Sequence, residues 1–192
     1  MSSKTLYIIG GCNGAGKTTA SYTVLPEILH CKEFVNADEI ARGLSPFNPE
    51  SVNIEAGRIM LRRIDELMEK EETFSVETTL ATRTYVNLVR KAQAEGYTVR
   101  VLFFWLRSPE LAEQRVAERV ANGGHDVPQK VIQRRYVAGI ANLFNIFMNE
   151  VDYWTIFDNS MAARKKIAYG GRGTKSVIED ATLYQLMQDY VK

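Results

Sequence analysis

Cysteine is scarce in this chain: Cys12 and Cys31 are the only two among 192 residues. Two cannot build the framework of a disulfide-stapled secreted domain, and a reducing, cytoplasmic compartment is expected instead. Long apolar runs are also missing. The N-terminal one, Leu6 to Ile9, is too short for a membrane span or for the core of a signal peptide. An excess of either charge is lacking too, since 24 Lys plus Arg face 23 Asp plus Glu and leave a formal net charge of +1. Nothing therefore draws the whole chain to nucleic acid or to an anionic membrane, and neither is expected as a partner. A local basic pocket remains possible, because like charges can cluster while the total cancels. Internal repeats, low-complexity tracts and linkers are absent. What is present is a globular balance of 45% hydrophobic and 24% charged residues. The length suits one α/β domain over 1–192 and is too short for two.

Strand and helix signals alternate along the chain. Leu6-Tyr7-Ile8-Ile9 reads as a buried strand ending in Gly10-Gly11. A helix follows from Lys17, with Pro26 near its end, and Glu33 to Asn36 reads as a second strand. Gly43 to Pro49 is loop. Ser51 to Glu71 is the longest helical stretch, with Ile54, Leu61, Ile64, Leu67 and Met68 at helical spacing. Phe74 to Val76 forms strand three, Thr84 to Glu95 a helix stopped by Gly96, and Val99 to Leu106 the most apolar, central strand. Ser108-Pro109 opens another helix with cap and first-turn proline in place. Asn122-Gly123-Gly124 breaks it, and Pro128 to about Asn149 is helical again. Trp154 to Phe157 is strand five, and Lys175 to Val191 a last helix. The pattern predicts an α/β fold, a five-stranded parallel sheet with helices on both faces. Ligands then bind at the C-terminal strand edges.

Gly11-Cys12-Asn13-Gly14-Ala15-Gly16-Lys17-Thr18 fits the phosphate-binding pattern G-x-x-x-x-G-K-[ST] at every fixed position. Glycines let successive backbone N–H groups turn toward one anion, and the following helix points its positive end there. Lys17 can reach the β- and γ-phosphates of ATP, and the Thr18 hydroxyl can ligate Mg²⁺. Chance would produce the pattern in roughly one of a few hundred chains this long, and here it follows a strand and opens a helix, as the mechanism requires. A nucleotide site is implied, but the motif does not separate kinase from GTPase or motor.

Two carboxylates fall at neighbouring strand ends. Asp38 could accept the proton of an attacking hydroxyl or hold a magnesium-bound water; equally, it could cap a short helix from Glu39 to Gly43. Glu77 could bind a polar substrate or order a magnesium-bound water, or be a solvated strand end. Strand four lacks a terminal acid, so Glu77 or Asp38 must supply the usual carboxylate partner of the metal, unless Thr18 and water suffice.

Arg107, Arg115 and Arg119 precede or lie on one helix, and Arg134-Arg135 on the next. With the Gly123-Gly124 break between them, the segment 108–150 has the look of a mobile helical lid that brings positive charge to a transferring phosphoryl group. The alternative is surface arginines paired with Glu113 and Glu118. His125 in the break could contact phosphate or stay exposed. Asn159, in the loop Asp158-Asn159-Ser160, could read the adenine edge or form a plain turn.

Taken in order, the phosphate loop through Thr19, Phe34 to Ile40, Phe74 to Thr79, Gly123 to Pro128 and Asp158 to Ser160 resemble the zeta toxin family of P-loop kinases, specifically its short stand-alone branch. The first segment is common to many ATPases; the combination is far more specific. The resemblance spans nearly the whole chain. It implies transfer of the γ-phosphate of ATP, with Mg²⁺, to a hydroxyl of a nucleotide sugar such as UDP-N-acetylglucosamine, and often a small antitoxin partner; strand order 2-3-1-4-5 is expected by analogy with small P-loop kinases. Catalytic roles then fall to Lys17, Asp38 as general base, and Arg115 or Arg119 on phosphate. The acceptor side would comprise Asp38, Glu77, Thr79, Arg83, His125, Arg134 and Arg135. The chain departs from the better-known toxins where a second lid arginine is replaced by His125. Kinases of other metabolites or antibiotics, and a nucleotide-dependent switch, are the competing readings.

Overall fold

The computed structural model describes residues 4–124 and 126–191. Seven strands form one sheet in the order β2-β3-β1-β4-β5-β6-β7. The first five, β1 (Thr5–Gly10), β2 (Glu33–Val35), β3 (Phe74–Thr78), β4 (Thr98–Trp105) and β5 (Tyr153–Asp158), are parallel and in the expected order. The sheet does not stop there. β6 (Lys165–Gly171) and β7 (Val177–Ile178) extend it antiparallel beyond β5. The expected count of five is corrected to seven, and the last helix shortens to α8 (Ala181–Asp189). The reason is compositional. β6 opens with two exposed lysines and ends in two glycines, so only Ile167 and Ala168 are buried and no alternation is long enough to read.

Helices fill the connections: α1 (Lys17–Thr23), α2 (Ala37–Leu44), α3 (Asn53–Glu69), α4 (Tyr85–Ala94), α5 (Pro109–Ala121), α6 (Gln129–Asn142) and the short α7 (Met148–Glu150). α1 runs on through a wide turn over Val24–Ile28, which accommodates Pro26. In α3 the expected apolar stripe is partly wrong. Ile54 and Leu61 are exposed, at 75% and 62%, whereas Ala56, Met60, Ile64, Leu67 and Met68 are buried.

The core lies on the central strands, which are buried on both faces as parallel strands under helices must be. On β4, Val99, Val101, Phe103 and Trp105 all point inward. α6 is built into this core. Tyr136, 1% exposed, donates its hydroxyl hydrogen to Leu106 O at 2.6 Å and accepts one from Trp105 Nε1 at 2.9 Å. Gly139 approaches so close to the turn after β3 that a Cβ would stand 2.5 Å from Thr79 O. The second half of the expected 108–150 lid is thus a packed element. The glycine break is a helix stop: Gly123 N–H donates to Val120 O and Gly124 N–H to Arg119 O, with Gly123 at φ +80°, the pairing of a Schellman motif.

Tyr136→Phe leaves the indole N–H and the Leu106 carbonyl without their partner inside the core. A loss of about 1–3 kcal/mol is expected in urea unfolding, the cost of stranded buried polar groups. A loss within experimental error would show that this hydroxyl does not tie α6 to β4.

Candidate functional site

The C-terminal ends of β1, β2 and β3 open into a cavity of about 860 Å³. Its floor is the loop from Gly11 to Thr18, leading from β1 into α1. The loop turns on residues only glycine accommodates easily: Gly14 has φ +78° and its Cβ would sit 2.6 Å from Ala112 O, while Gly16 has φ +74° at the cap of α1. Lys17, 7% exposed, donates from Nζ to Cys12 O at 2.9 Å. Burial pushes the Cys12 thiol up to about 11, with Lys17 pulling the other way, so it stays protonated at neutral pH.

Glu77, at the end of β3, faces this loop. Its Oε2 accepts from Thr18 Oγ1 at 2.8 Å and from Asn36 Nδ2 at 3.0 Å, and its Oε1 lies 3.6 Å from Lys17 Nζ. Of the two acids open as the carboxylate beside the nucleotide loop, Glu77 is the one in contact with Thr18 and Lys17. Asp38 has a different setting. The side chain that caps α2 is Asn36, whose Oδ1 accepts from Asp38 N at 2.9 Å. Asp38 itself is in the first turn of α2, exposed, with its carboxylate lining the cavity. The cap alternative for Asp38 is thereby removed.

Beyond Glu77 the chain turns sharply. The hydroxyls of Thr78 and Thr79 accept from Leu80 N and Ala81 N, at 3.1 and 3.4 Å, and Leu80 is fully buried with φ +55°. That backbone costs on the order of 1 kcal/mol and is held by Asn142 of α6, whose Nδ2 donates to Leu80 O at 2.7 Å. Thr79 lines the cavity as a result.

A second group braces the nucleotide loop from the side of β5. Asn159 donates from Nδ2 to Ala15 O at 2.7 Å, so its amide serves the loop itself. Arg115 of α5 donates from its two terminal nitrogens to Asn159 O and Ser160 O, both at 2.9 Å. Arg107 donates from Nε and Nη2 to Asp158 Oδ2 at 3.0 and 2.8 Å. Burial opposes charge on Asp158, 2% exposed, yet the bonds from Ser160 and Arg107 outweigh it and hold the carboxyl below its ordinary range.

Of the remaining expected residues, Arg119 and Arg135 line the cavity, and Arg135 Nη1 donates to Asn13 Oδ1 at 3.3 Å. Arg134 is exposed on α6 and does not line it. Arg83 stands apart, in a separate hollow beside the Arg90–Glu150 ion pair. Both are therefore removed from the acceptor side of the cavity. His125 lies outside the described residues. Asn36 is the residue for which the sequence suggested no role. Its signal was available, a short polar side chain between a strand and a helix, but its second partner is 41 residues away. Among the described residues no cluster of three or more His, Cys, Asp and Glu could hold a metal, and no helix is long and apolar enough to cross a membrane.

Comparison with known proteins agrees with this geometry. The family model described as Zeta toxin matches residues 1–166. The chain belongs to the zeta toxin family. An uncharacterized protein of Haemophilus influenzae is 25% identical over 136 residues, covering 71% of this chain and 94% of its own. Among solved structures, the AvrRxo1-ORF1:AvrRxo1-ORF2 complex with sulphate ions contains a chain that superposes with TM-score 0.78 at 18% identity. The match covers 96% of this chain and 63% of that one. The same complex has been solved with ATP. The PezAT chromosomal toxin–antitoxin system of Streptococcus pneumoniae matches with TM-score 0.69 at 15% identity, over 99% of this chain and 79% of that one. At these identities the structures establish a shared fold. This chain spans less than two thirds of the length of the AvrRxo1 chain that it matches.

The Arg115 geometry yields a test. With both terminal nitrogens on carbonyls of the loop after β5, Arg115→Ala should loosen that loop and the nucleotide loop it braces. Hydrogen bonds from a charged donor contribute about 1.5–3 kcal/mol, so ATP affinity should fall about tenfold or more and the melting temperature should drop. Unchanged affinity and stability with a collapsed turnover number would instead place Arg115 on the transferring phosphate.

Proposed function

We propose that this zeta toxin family member is a kinase that transfers the γ-phosphate of ATP to a hydroxyl of a small-molecule acceptor. The observation that carries the reading is one cavity holding a complete phosphate-binding loop, a carboxylate on the loop's own threonine and lysine, and a second, exposed carboxylate across from them.

The chain's residues divide the work. Backbone N–H groups of Gly14 to Thr18 and the Lys17 ammonium bind the phosphates of ATP. Thr18 Oγ1 and Glu77 Oε2, 2.8 Å apart, are hard oxygen donors of the kind magnesium takes together with phosphate and water. They fit Mg²⁺, and they would hold it. Bound magnesium neutralises charge on the β- and γ-phosphates. Asp38 accepts the proton of the acceptor hydroxyl, with no helix-capping duty to compete. Arg119 and Arg135 supply positive charge around the transferring group. Thr79, held by the strained turn at Leu80, offers the acceptor a fixed edge.

The acceptor class follows the family resemblance: a nucleotide sugar such as UDP-N-acetylglucosamine. Support from this chain is the lining of the cavity along α2 and β3, where Asn36 to Glu39 and Glu77 to Thr79 include hydroxyls, amides and carboxylates suited to a polyol. A small antitoxin partner belongs to the same reading, and support comes from the PezAT toxin–antitoxin system.

The test is ATP consumption against a panel of nucleotide sugars, followed by mass spectrometry for the gain of one phosphate. Lys17→Ala should abolish transfer in a folded protein. Asp38→Asn should keep its melting temperature, because Asn36 makes the cap, and lose turnover by roughly 10²- to 10⁴-fold, the size of a general-base effect. ATP hydrolysis indifferent to every acceptor would overturn the kinase reading. Preserved turnover in Asp38→Asn would move the base elsewhere.

A further inference from the structure

The end of β2 is joined to the end of β3 by one side chain. Asn36 is 6% exposed, and its backbone is extended, at φ −134° and ψ 117°. The two ends of its amide point to different partners. Oδ1 accepts from the backbone N–H of Asp38 at 2.9 Å, and Nδ2 donates to Glu77 Oε2 at 3.0 Å. Chemistry fixes this orientation: an N–H can only donate and a carboxylate can only accept, so a flipped amide would face donor with donor and acceptor with acceptor. The oxygen of Glu77 that Asn36 holds is the one that takes the Thr18 hydroxyl.

We propose that Asn36 is a positioning residue that fixes the Glu77 carboxylate against Thr18 and, through the same amide, fixes the helical turn that carries Asp38. The inference rests on the kinase reading above and deepens it. Capping alone does not call for asparagine, since Ser, Thr or Asp caps a helix about as well. None of these replaces the second bond. Serine and threonine have one polar atom, which the cap takes, and no second atom in the place from which Nδ2 donates to Glu77. Aspartate would oppose one carboxylate with another.

The consequence is a rigid link between the two halves of the site. Glu77 belongs to the half that meets ATP and magnesium, and Asp38 to the half that meets the acceptor hydroxyl. Phosphoryl transfer requires the two to be held in line, and small misplacements are costly. Glu77 is nearly buried, so its orientation is set by the donors around it, of which, among the described residues, Asn36 is the one not belonging to the nucleotide loop or α1.

The test separates a cap from a positioning residue. Asn36→Ser and Asn36→Thr both keep a cap and lose the amide; having two variants guards against either one failing to fold. ATP affinity is measured by calorimetry with Mg²⁺ and with chelator, alongside the melting temperature and steady-state kinetics. Loss of a side chain that orients a metal ligand typically costs about 10- to 100-fold in metal affinity. The gain in ATP affinity on adding Mg²⁺ should therefore shrink roughly tenfold or more. kcat should fall, while chelator-state ATP affinity and acceptor KM stay near wild type and the melting temperature drops only by the loss of the one bond to Glu77. Asn36→Ala, which lacks the cap as well, should lose stability further but show the same magnesium defect. Wild-type magnesium dependence and kcat in the cap-keeping variants would reduce Asn36 to a cap and overturn the inference while the kinase reading stands. A wild-type protein that binds ATP no better with Mg²⁺ and phosphorylates no acceptor would overturn both.

Discussion

A carboxylate that is nine-tenths buried must be met by donors, or it will not stay charged. Glu77 is in that position at the end of β3, and the residues around it are arranged as its solution: a hydroxyl from α1, an amide from the end of β2 and an ammonium from the nucleotide loop. The donors come from the start of α1 and from the end of β2, so the charge can be satisfied only when β1, β2 and β3 are paired and α1 is in place. β3 pairs with β1, so the acid at its end stands beside the nucleotide loop that leaves β1; β4 flanks β1 on the other side and ends in buried, apolar Trp105, followed by buried Leu106.

The nucleotide loop needs a second support, because a glycine-rich turn has little rigidity of its own. That support comes from β5. Asp158, Asn159 and Ser160 are held by Arg107 and Arg115, and Asn159 passes the constraint to Ala15. Arg107 and Arg115 thus make their hydrogen bonds to a buried carboxylate and to the protein's own carbonyls, and Arg115 also lines the cavity. A guanidinium suits this, since its planar fork of donors can bridge two acceptors in fixed geometry.

The five parallel strands and the nucleotide loop were legible because their signals are local. Each strand is an apolar run closed by turn residues, and the loop motif is contiguous. Three features were not legible, for different reasons. β6 carries its burial on two residues between lysines and glycines, too few for a period to register. α3 offers two apolar stripes, and spacing alone cannot tell the one through Ile54 and Leu61 from the one through Ala56, Met60 and Ile64. The link between Asn36 and Glu77 joins residues 41 apart, and the bond from Thr18 to Glu77 spans 59. Such contacts exist only once the sheet is assembled. Asp38 shows the same limit from the other side. From spacing, cap and base were equally good roles; the structure removes one by giving the cap to its neighbour two residues earlier.

The near-neutral charge of the whole chain hides a site divided by sign. Arg119 and Arg135 lie on α5 and α6, Asp38 and Glu39 lie on α2, and the Lys17–Glu77 pair, 3.6 Å apart, stands at the nucleotide loop. On the acidic side Arg42 is drawn back onto Glu39 at 3.2 Å, which leaves Asp38 as the exposed acid facing the cavity. A field arranged this way favours a ligand with its anionic groups at one end and neutral hydroxyls at the other, and disfavours the reverse pose. For a phosphoryl transfer it has a further effect. The negative charge that develops on the transferring group forms next to the cations, and the proton released by the acceptor forms next to the carboxylates, so both products of the step arise where the site already holds their complement.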